Sequence, residues 1–498
     1  MASTFYYPLL CLALFLTFKL WFQTRKFLNL PPGPLSLPIL GNIHQLQRPL
    51  HHTFHRISQR YGKIFSLWFG SRLVVIISSA PAAQECFTKN DIVLANRPPL
   101  LIAKHVGYNF TTMTFSPYGD HWRNLRRILA LEVLSTNRLN ASLEMRTDER
   151  MRLIKKLARQ SYKEFSKVEL RSEFLEMSFN TIMRMTAGKR YWGDDSEVGD
   201  NEEARQGREM IIEMMKLGGA NNPAEFSPVL RWFDFQNLEK RLKLLAVRVD
   251  KFLQGLVDEH RYGNQVGENT MIDHLLTLQP SQPDYYTDQI IKGLIQVILL
   301  GGIDSIAVTL EWAMANLLNH PEVLKKAKEE IDTQIEQERL MEEVDISKLP
   351  YLQSIITETL RLHPAAPLFI PHMSSDKCNI QGYNIPRDTM VLINGWAIHR
   401  DPQIWSDPMK FKPERFEKEG EANKVFAFGL GRRVCPGVSL AQRTIGLTLG
   451  LMIQCFEWKR TSEEKIDMTD GSGVTMPKVI PLEAMCKARR PIINHVLF

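Results

Sequence analysis

One thiol sits in the most heavily punctuated stretch of the chain, "FAFGLGRRVCPG" at residues 426–437. A structural cysteine needs only a small apolar niche and inert neighbours. Cys435 instead follows Arg432 and Arg433 and precedes Pro436, a residue suited to opening a helix. Positive charge and a helix N-terminus both favour thiolate over thiol. The stretch therefore reads as a device that holds sulfur ionised. A second concentration of chemistry is "GGIDS", residues 301–305, where Asp304 and Ser305 offer a proton donor and a hydroxyl beside two residues without side chains. Each interior glycine costs a helix about 1 kcal/mol against alanine, so something must use the space. Close helix packing is one explanation, and a flat ligand lying against the helix is the other.

These groups need elements to hold them. Thr287 or Asp288 as N-cap and Pro321 as stop predict a long helix over 285–321. Between Lys292 and Glu311 its only charge is Asp304. A charge at the midpoint is what a lipid-exposed helix tolerates least, so the segment reads as the central helix of a folded core rather than a membrane span. The chain is mostly helical from about 115 to 345, and a last helix follows over about 437–454. Residues 61–79 read as a hairpin turning at Gly70-Ser71, and strand-like pieces return in "FIPHM" and "TMVLING". The fold class is mainly α with small β-sheets, with residues 43–498 as one catalytic domain.

The N-terminus has a different character. Phe5 to Phe22 is apolar but for Thr17 and Lys19, and Arg25 and Lys26 follow. No basic residue precedes this run and no small-residue cleavage site closes it, unlike a signal peptide. Residues 1–24 therefore read as an uncleaved N-terminal transmembrane helix with the body on the cytosolic side. Residues 25–42, with four prolines in eight positions, read as a semi-rigid hinge. A net charge of +7 spread over 498 residues suits a membrane surface or an acidic partner and argues against nucleic acid. Six scattered cysteines with no CxxC pair exclude a disulfide scaffold and a structural zinc site.

Phe428-x-x-Gly431-x-Arg433-x-Cys435-x-Gly437 fixes five positions in ten and resembles the haem-thiolate loop of cytochrome P-450 monooxygenases. That resemblance implies the cytochrome P-450 fold with haem b (iron protoporphyrin IX) as cofactor and Cys435 as its axial ligand. Phe428 and Gly431 then shape the loop. Trp122 and Arg126 of "HWRNLRR", with Arg433 and His372, become haem propionate partners. Glu358-x-x-Arg361 and Arg415 of "FKPERF" form a supporting network, and Asp304 and Ser305 deliver protons. One departure stands out: Ile306 replaces the second hydroxyl common in the family, and Ile303 adds bulk, which predicts looser coupling of electrons to product.

The likeness extends over essentially the whole chain. "SLWFGSRLVV", "ECFTKNDIVLANRP" and "IMRMTAGKRYWG" are similar to plant microsomal enzymes, especially the isoflavone 2'-hydroxylase group and its flavonoid- and lignan-oxidising relatives. This implies a single-pass protein of the endoplasmic reticulum membrane that uses O2 and electrons from NADPH. NADPH–cytochrome P-450 reductase would meet a basic face that includes Arg123, Arg127 and Arg432. The substrate segments implied are 97–118, 210–230, 300–306, 366–370 and 472–477. Phe110, Met113, Met214, Leu217, Leu300, Ile303, Phe369 and Met476 in them suit a small, flat, apolar aromatic substrate. An isoflavonoid or other flavonoid is the expected class for hydroxylation. A methylenedioxy-bridge-forming oxidase acting on a lignan or isoflavonoid and a terpenoid hydroxylase are the alternatives.

Other clusters take plainer readings. His51, His52 and His55 read as a solvated loop. The Glu-x-x-Arg spacings that start at Glu149, Glu202 and Glu336 read as surface ion pairs. "HRDP" at 399–402 lacks the companions of a kinase catalytic loop. Asn109 and Asn140 head glycosylation sequons that a cytosolic body leaves unmodified.

Overall fold

The computed structural model describes residues 7, 10–13, 15, 29–193, 202–218, 225–226, 237–263, 269–336 and 339–489. Most of the expected anchor lies outside them; Tyr7, Leu10, Cys11, Leu12, Ala13 and Phe15 are helical and exposed. The proline-rich stretch is no free spacer from residue 31 onward. It lies along the first strand, with Ser66 donating its N–H to Pro32 O at 2.8 Å and its hydroxyl to Pro31 O at 2.7 Å. A Cβ at Gly33 would fall 1.9 Å from Ser66 O, so only glycine permits the approach.

After α1 (Leu50–Tyr61), the aromatic and β-branched runs "IFSLWF" and "RLVVII" form β1 (Ile64–Phe69) and β2 (Arg72–Ile77). They pair antiparallel with Ile64 opposite Ile77, and the turn uses Gly70 at φ +56°. The helices that frame the site then follow: α2 (Asp120–Ile128), α3 (Leu143–Ser161), α4 (Leu170–Ala187) after β3 (Ser166–Glu169), α5 (Leu238–Tyr262), α6 (Asp288–Gly302), α7 (Asp304–Asn319) and α8 (Pro350–Leu362). Short strands β4 (His372–Met373), β5 (Cys378–Ile380), β6 (Tyr383–Ile385) and β7 (Met390–Ile393) precede α9 (Val438–Cys455), β8 (Phe456–Arg460) and β9 (Glu483–Ala488). β7 pairs in parallel with β2, so the sheet β1-β2-β7-β4 closes only after most of the chain has been wound between them. A second sheet, β3-β9-β8, joins residues near 166 to the C-terminal strands.

The expected long helix is present and is the axis of the core. Thr287 caps it by accepting from the Ile290 N–H, and every residue from Ile306 to Leu318 is buried. By length and composition Asp288–Asn319 is apolar enough to cross a membrane, yet 67% of its most apolar window is buried inside the protein. Apolar character on all sides is what burial requires. The helix is interrupted at Ile303, which separates α6 from α7. Two glycines weaken the ladder there, and the Ser305 hydroxyl donates to Gly301 O at 2.7 Å. That side-chain bond competes with the backbone and bends helices.

Candidate active site

The cysteine loop is held by its own backbone and by α8-side neighbours. Phe426 N–H donates to His399 Nε2 at 2.9 Å, and Cys435 N–H donates to Phe428 O at 2.9 Å. Gly431 sits at φ +67°, and a Cβ there would lie 2.5 Å from Asp91 Oδ1. The arginines beside the cysteine do not serve its sulfur. Arg432 pairs with Asp91 at 3.1 Å, and Arg433 turns to the carbonyls of Ala95 and Met113 at 2.8 and 3.0 Å and of Ser116. Burial pushes the Cys435 thiol up from its ordinary value, and the Gly437 N–H and the Arg126 charge lower it only in part. The cation whose charge reaches the sulfur is Arg126 rather than the two arginines next to it in sequence. Burying an anion is costly unless nearby charge and hydrogen bonds offset it.

Arg126 on α2 donates to Val434 O at 2.8 Å, directly before the cysteine. Arg433 stacks over the Trp122 ring at 4.5 Å, and the Trp122 indole N–H is buried with no partner. Arg97, which the sequence reading passed over, is buried and donates to Thr114 O, Ile370 O and Pro371 O. Among the described residues no carboxylate pairs with Arg97, Arg126 or Arg433. Burial lowers all three, with Arg433 brought to about 9. His372 donates Nδ1–H to Leu94 O at 2.7 Å, and burial plus the Arg97 charge hold it neutral. Its Nε2 is then an acceptor, so Arg97 is the better donor to an anion. A signal was available in "ANRPP", an arginine fixed by prolines in an apolar run.

Glu358, Arg361 and Arg415 do meet. Arg361 grips Glu358 with two bonds of 2.6 and 2.8 Å at zero exposure, and Arg415 Nε reaches the same carboxylate at 3.1 Å. The remaining guanidinium protons of Arg361 go to His399 O, Pro408 O and Lys410 O. This triad ties α8 to the segment that leads into the cysteine loop.

On the central helix the two glycines behave differently. A Cβ at Gly302 would strike Ile182 at 2.7 Å, which is helix packing, whereas one at Gly301 would meet nothing within 4 Å. Gly301 and Ser305 lie four residues apart and share that open face. Asp304 Oδ2 accepts from the Thr475 hydroxyl, and Oδ1 lies 3.7 Å from Arg171 Nη2. Ile306 is 2% exposed within the core formed with α3, α4, α8 and α9, so position 306 belongs to packing rather than to the open face. Ile303 is 1% exposed in the neighbouring cluster with Ile182, Leu294 and Leu299.

The expected substrate residues divide. Met113 lines a cavity of about 190 Å³ with Thr112, Leu125, Ile290 and Leu294. Leu300 is half-buried beside the same apolar cluster that encloses Met214 and Leu217. Phe110 and Phe369 are half-buried at φ +65° and +51°. Met476 is fully buried against Trp396 and Ala397. Residues 219–224 and 227–230 of the expected substrate segments lie outside the described residues.

Three plain readings need correction. His51, His52 and His55 are on α1, not a loop, and His51 and His52 both bond Asp470, at 2.9 and 2.7 Å. Glu149 is buried and bonded by Arg184 and Arg190 at 2.9 and 2.6 Å, while Glu202 does make the surface pair with Arg205. Arg339, three residues past Glu336, pairs with Asp345 at 2.7 Å. His399 and Asp401 of "HRDP" are both buried and structural, the latter pairing with Lys63 at 2.5 Å.

Comparison with known proteins shows the family and the fold. Residues 31–482 match the family model described as Cytochrome P450. Cytochrome P450 81E8 of Medicago truncatula is 65% identical over 99% of this chain and 100% of the relative. Isoflavone 3'-hydroxylase of Medicago truncatula is 61% identical over 99% and 100%. Isoflavone 2'-hydroxylase of Glycyrrhiza echinata is 58% identical over 98% of both chains. Among solved structures, a zebra fish cytochrome P450 with progesterone superposes with a TM-score of 0.76 over 89% of this chain and 100% of that one, at 24% identity.

Proposed function

The chain belongs to the cytochrome P450 family and is a monooxygenase, and from that premise we propose that it hydroxylates an isoflavonoid at a haem bound through Cys435. The observation that carries the site is the set of one buried arginine, Arg97, and two half-buried ones, Arg126 and Arg433, with no paired acid among the described residues. A buried cation is stable only when paired, and a flat group bearing carboxylates and lying over the cysteine meets that need. Cys435 Sγ, with Gly437 N–H beside it, would hold the iron. Arg97, Arg126, Arg433 and the free Trp122 N–H would hold the propionates. When bound, haem supplies the reduction and cleavage of O2.

The protein's own part is to place substrate and protons. Gly301 leaves room at the open face of the central helix, and the apolar residues around Met113 and Leu300 orient a flat ring system with few polar constraints. Asp304 is the candidate proton carrier beside this face, and Ser305 Oγ, whose own hydrogen goes to Gly301 O, keeps its lone pairs to accept a hydrogen bond. Electrons would come from NADPH through the reductase. Arg127 is the freest of the expected docking arginines, since Arg123 pairs with Asp120 and Arg432 with Asp91. The apolar N-terminus would anchor the body to the endoplasmic reticulum, its cytosolic side facing the reductase.

The substrate class rests on two relatives named as isoflavone hydroxylases. Incubation of microsomes with NADPH, reductase and a panel of isoflavones, lignans and triterpenes tests it. Hydroxylated isoflavone is the expected product. Turnover confined to triterpenes, or a methylenedioxy product alone, would overturn the substrate assignment.

A further inference from the structure

His51 and His52 are the second and third residues of α1, and their Nε2 atoms converge on one carboxylate. No acid or cysteine occurs from Leu12 to Gln84, so nothing near them in sequence completes a metal-binding set. The missing acid arrives from the other end of the chain: Asp470 lies 2.9 Å from His51 Nε2 and 2.7 Å from His52 Nε2. The three ligand atoms all lie within 4.8 Å of one another. Both elements that bring them are fixed by other bonds. The His51 carbonyl accepts from the Asn394 amide at 2.9 Å, and the turn that carries Asp470 is closed by a bridge to Lys478 and by Gly471 N–H to Pro477 O at 2.7 Å. The Trp396 ring backs both imidazoles, with centroids at 5.4 and 4.5 Å. The His51 side chain is 3% exposed and that of His52 is 41% exposed, so the cluster is sealed on one side and reached by solvent on the other.

We propose that His51, His52 and Asp470 form a binding site for a zinc-type divalent cation, with a fourth position open to water beside His52. Two imidazole nitrogens and one carboxylate suit zinc and its transition-metal neighbours, whereas calcium and magnesium take oxygen ligands. Zinc at ~2.0–2.2 Å from each ligand sets tetrahedral neighbours roughly 3.3 Å apart, so each His–Asp contact opens by about half an ångström on binding. The exposed His52 ring has room for that movement. Burial opposes the Asp470 charge, but bonds from both imidazoles hold it below the usual carboxylate range. Burial lowers the His51 ring from its ordinary value against the pull of Asp470. An ionised carboxylate and a neutral imidazole are the forms that bind a metal. Arg400, stacked over Trp396 at 4.2 Å, opposes a cation here and keeps the affinity moderate. A bound metal would join α1 to the turn at 470–478 more firmly than the two hydrogen bonds do.

Zinc alone is the probe, offered to the full-length haem-loaded protein in equilibrium dialysis near neutral pH. His52→Gln keeps an amide N–H for Asp470 but replaces the imidazole by a much poorer ligand, so it separates metal binding from hydrogen bonding. His52→Gln and Asp470→Asn should each bind zinc at least about tenfold more weakly than wild type, since even loss of an outer partner of a ligand typically does as much. Zinc should raise the thermal midpoint of wild type and leave those of the variants in place, because a ligand stabilises only the form that binds it. Calcium should move none of them. The ferrous–CO spectrum should be unchanged in both variants, which shows that the haem domain is intact. If Asp470→Asn does not fold, His52→Gln at the solvent-reached edge decides the matter. Equal zinc binding and equal midpoint shifts in wild type and His52→Gln would place the zinc elsewhere and overturn the site. A wild type that takes up no zinc would overturn it as well, leaving the cluster as a hydrogen-bonded staple between α1 and the turn.

Discussion

Arg361 and Arg97 are both buried arginines, and they are satisfied in opposite ways. Arg361 has a carboxylate partner in Glu358, shares it with Arg415, and spends its other protons on carbonyls. Arg97 stands near Arg433, with backbone carbonyls as its partners and no acid among the described residues. The first cluster is complete as the chain folds. The second carries a charge that no acid among the described residues balances, which is costly unless a bound anion completes it. The closed cluster is a brace, and the open one is the proposed anion site.

The comparison breaks most fully at the sulfur between the clusters' reach. Cys435→Ser should abolish the thiolate-type reduced CO spectrum and all turnover, while serine at Cys11, Cys86, Cys378, Cys455 or Cys486 should leave that spectrum in place. Next, Glu358→Gln leaves the Arg361 charge buried and half-paired. It should cost about 3–5 kcal/mol, seen as a large fall in thermal midpoint with or without haem. Arg97→Met or Arg433→Met should do the reverse. The haem-free protein should be as stable as before or more so, while haem transfer to an acceptor globin accelerates by the equivalent of roughly 1–3 kcal/mol per lost bond. A destabilised haem-free Arg97→Met protein would erase the distinction.

Acid sharpens it further. Each cluster contains a histidine held neutral: His399, brought to about 3 by burial and the Arg361 charge, and His372, lowered by burial and Arg97. The unfolded histidine, near 6.5, takes a proton first. Stability is therefore complete above that pH and lost as pH falls toward the folded values, by about 1.4 kcal/mol per pH unit for each group. Urea midpoints of the haem-free protein from pH 7 to pH 5 should show this slope. With haem bound, a nearby carboxylate should ease the His372 share and flatten the curve. The smallest effect belongs to the exposed Arg432–Asp91 pair, where Arg432→Gln should shift stability by less than about 1 kcal/mol.

Much of the site was legible because its signals are local. Gly431 is demanded by a left-handed turn and a neighbour's approach, and the spacing to Cys435 follows from that loop. Glu358 and Arg361 lie one helical turn apart, so periodicity alone aligns them. Where Ile306 packs was not legible, for the opposite reason. Its neighbour Ser305 belongs to the open face, but one residue is a rotation of about 100° on a helix, and the core took position 306.

By itself the sequence determined the hairpin at 61–79, the capped central helix, the final helix and the cysteine loop, each specified by residues within a few turns of one another. Tertiary structure alone decided which charges face which. Asp470 meets His51 across 419 residues, Thr475 meets Asp304 across 171, and Arg433 leaves the adjacent sulfur to Arg126, more than 300 residues upstream. Local propensity acts through bonds that the chain makes with itself nearby. Charge and burial depend on which distant segments exclude water from a group, and that is known only after the whole chain has packed.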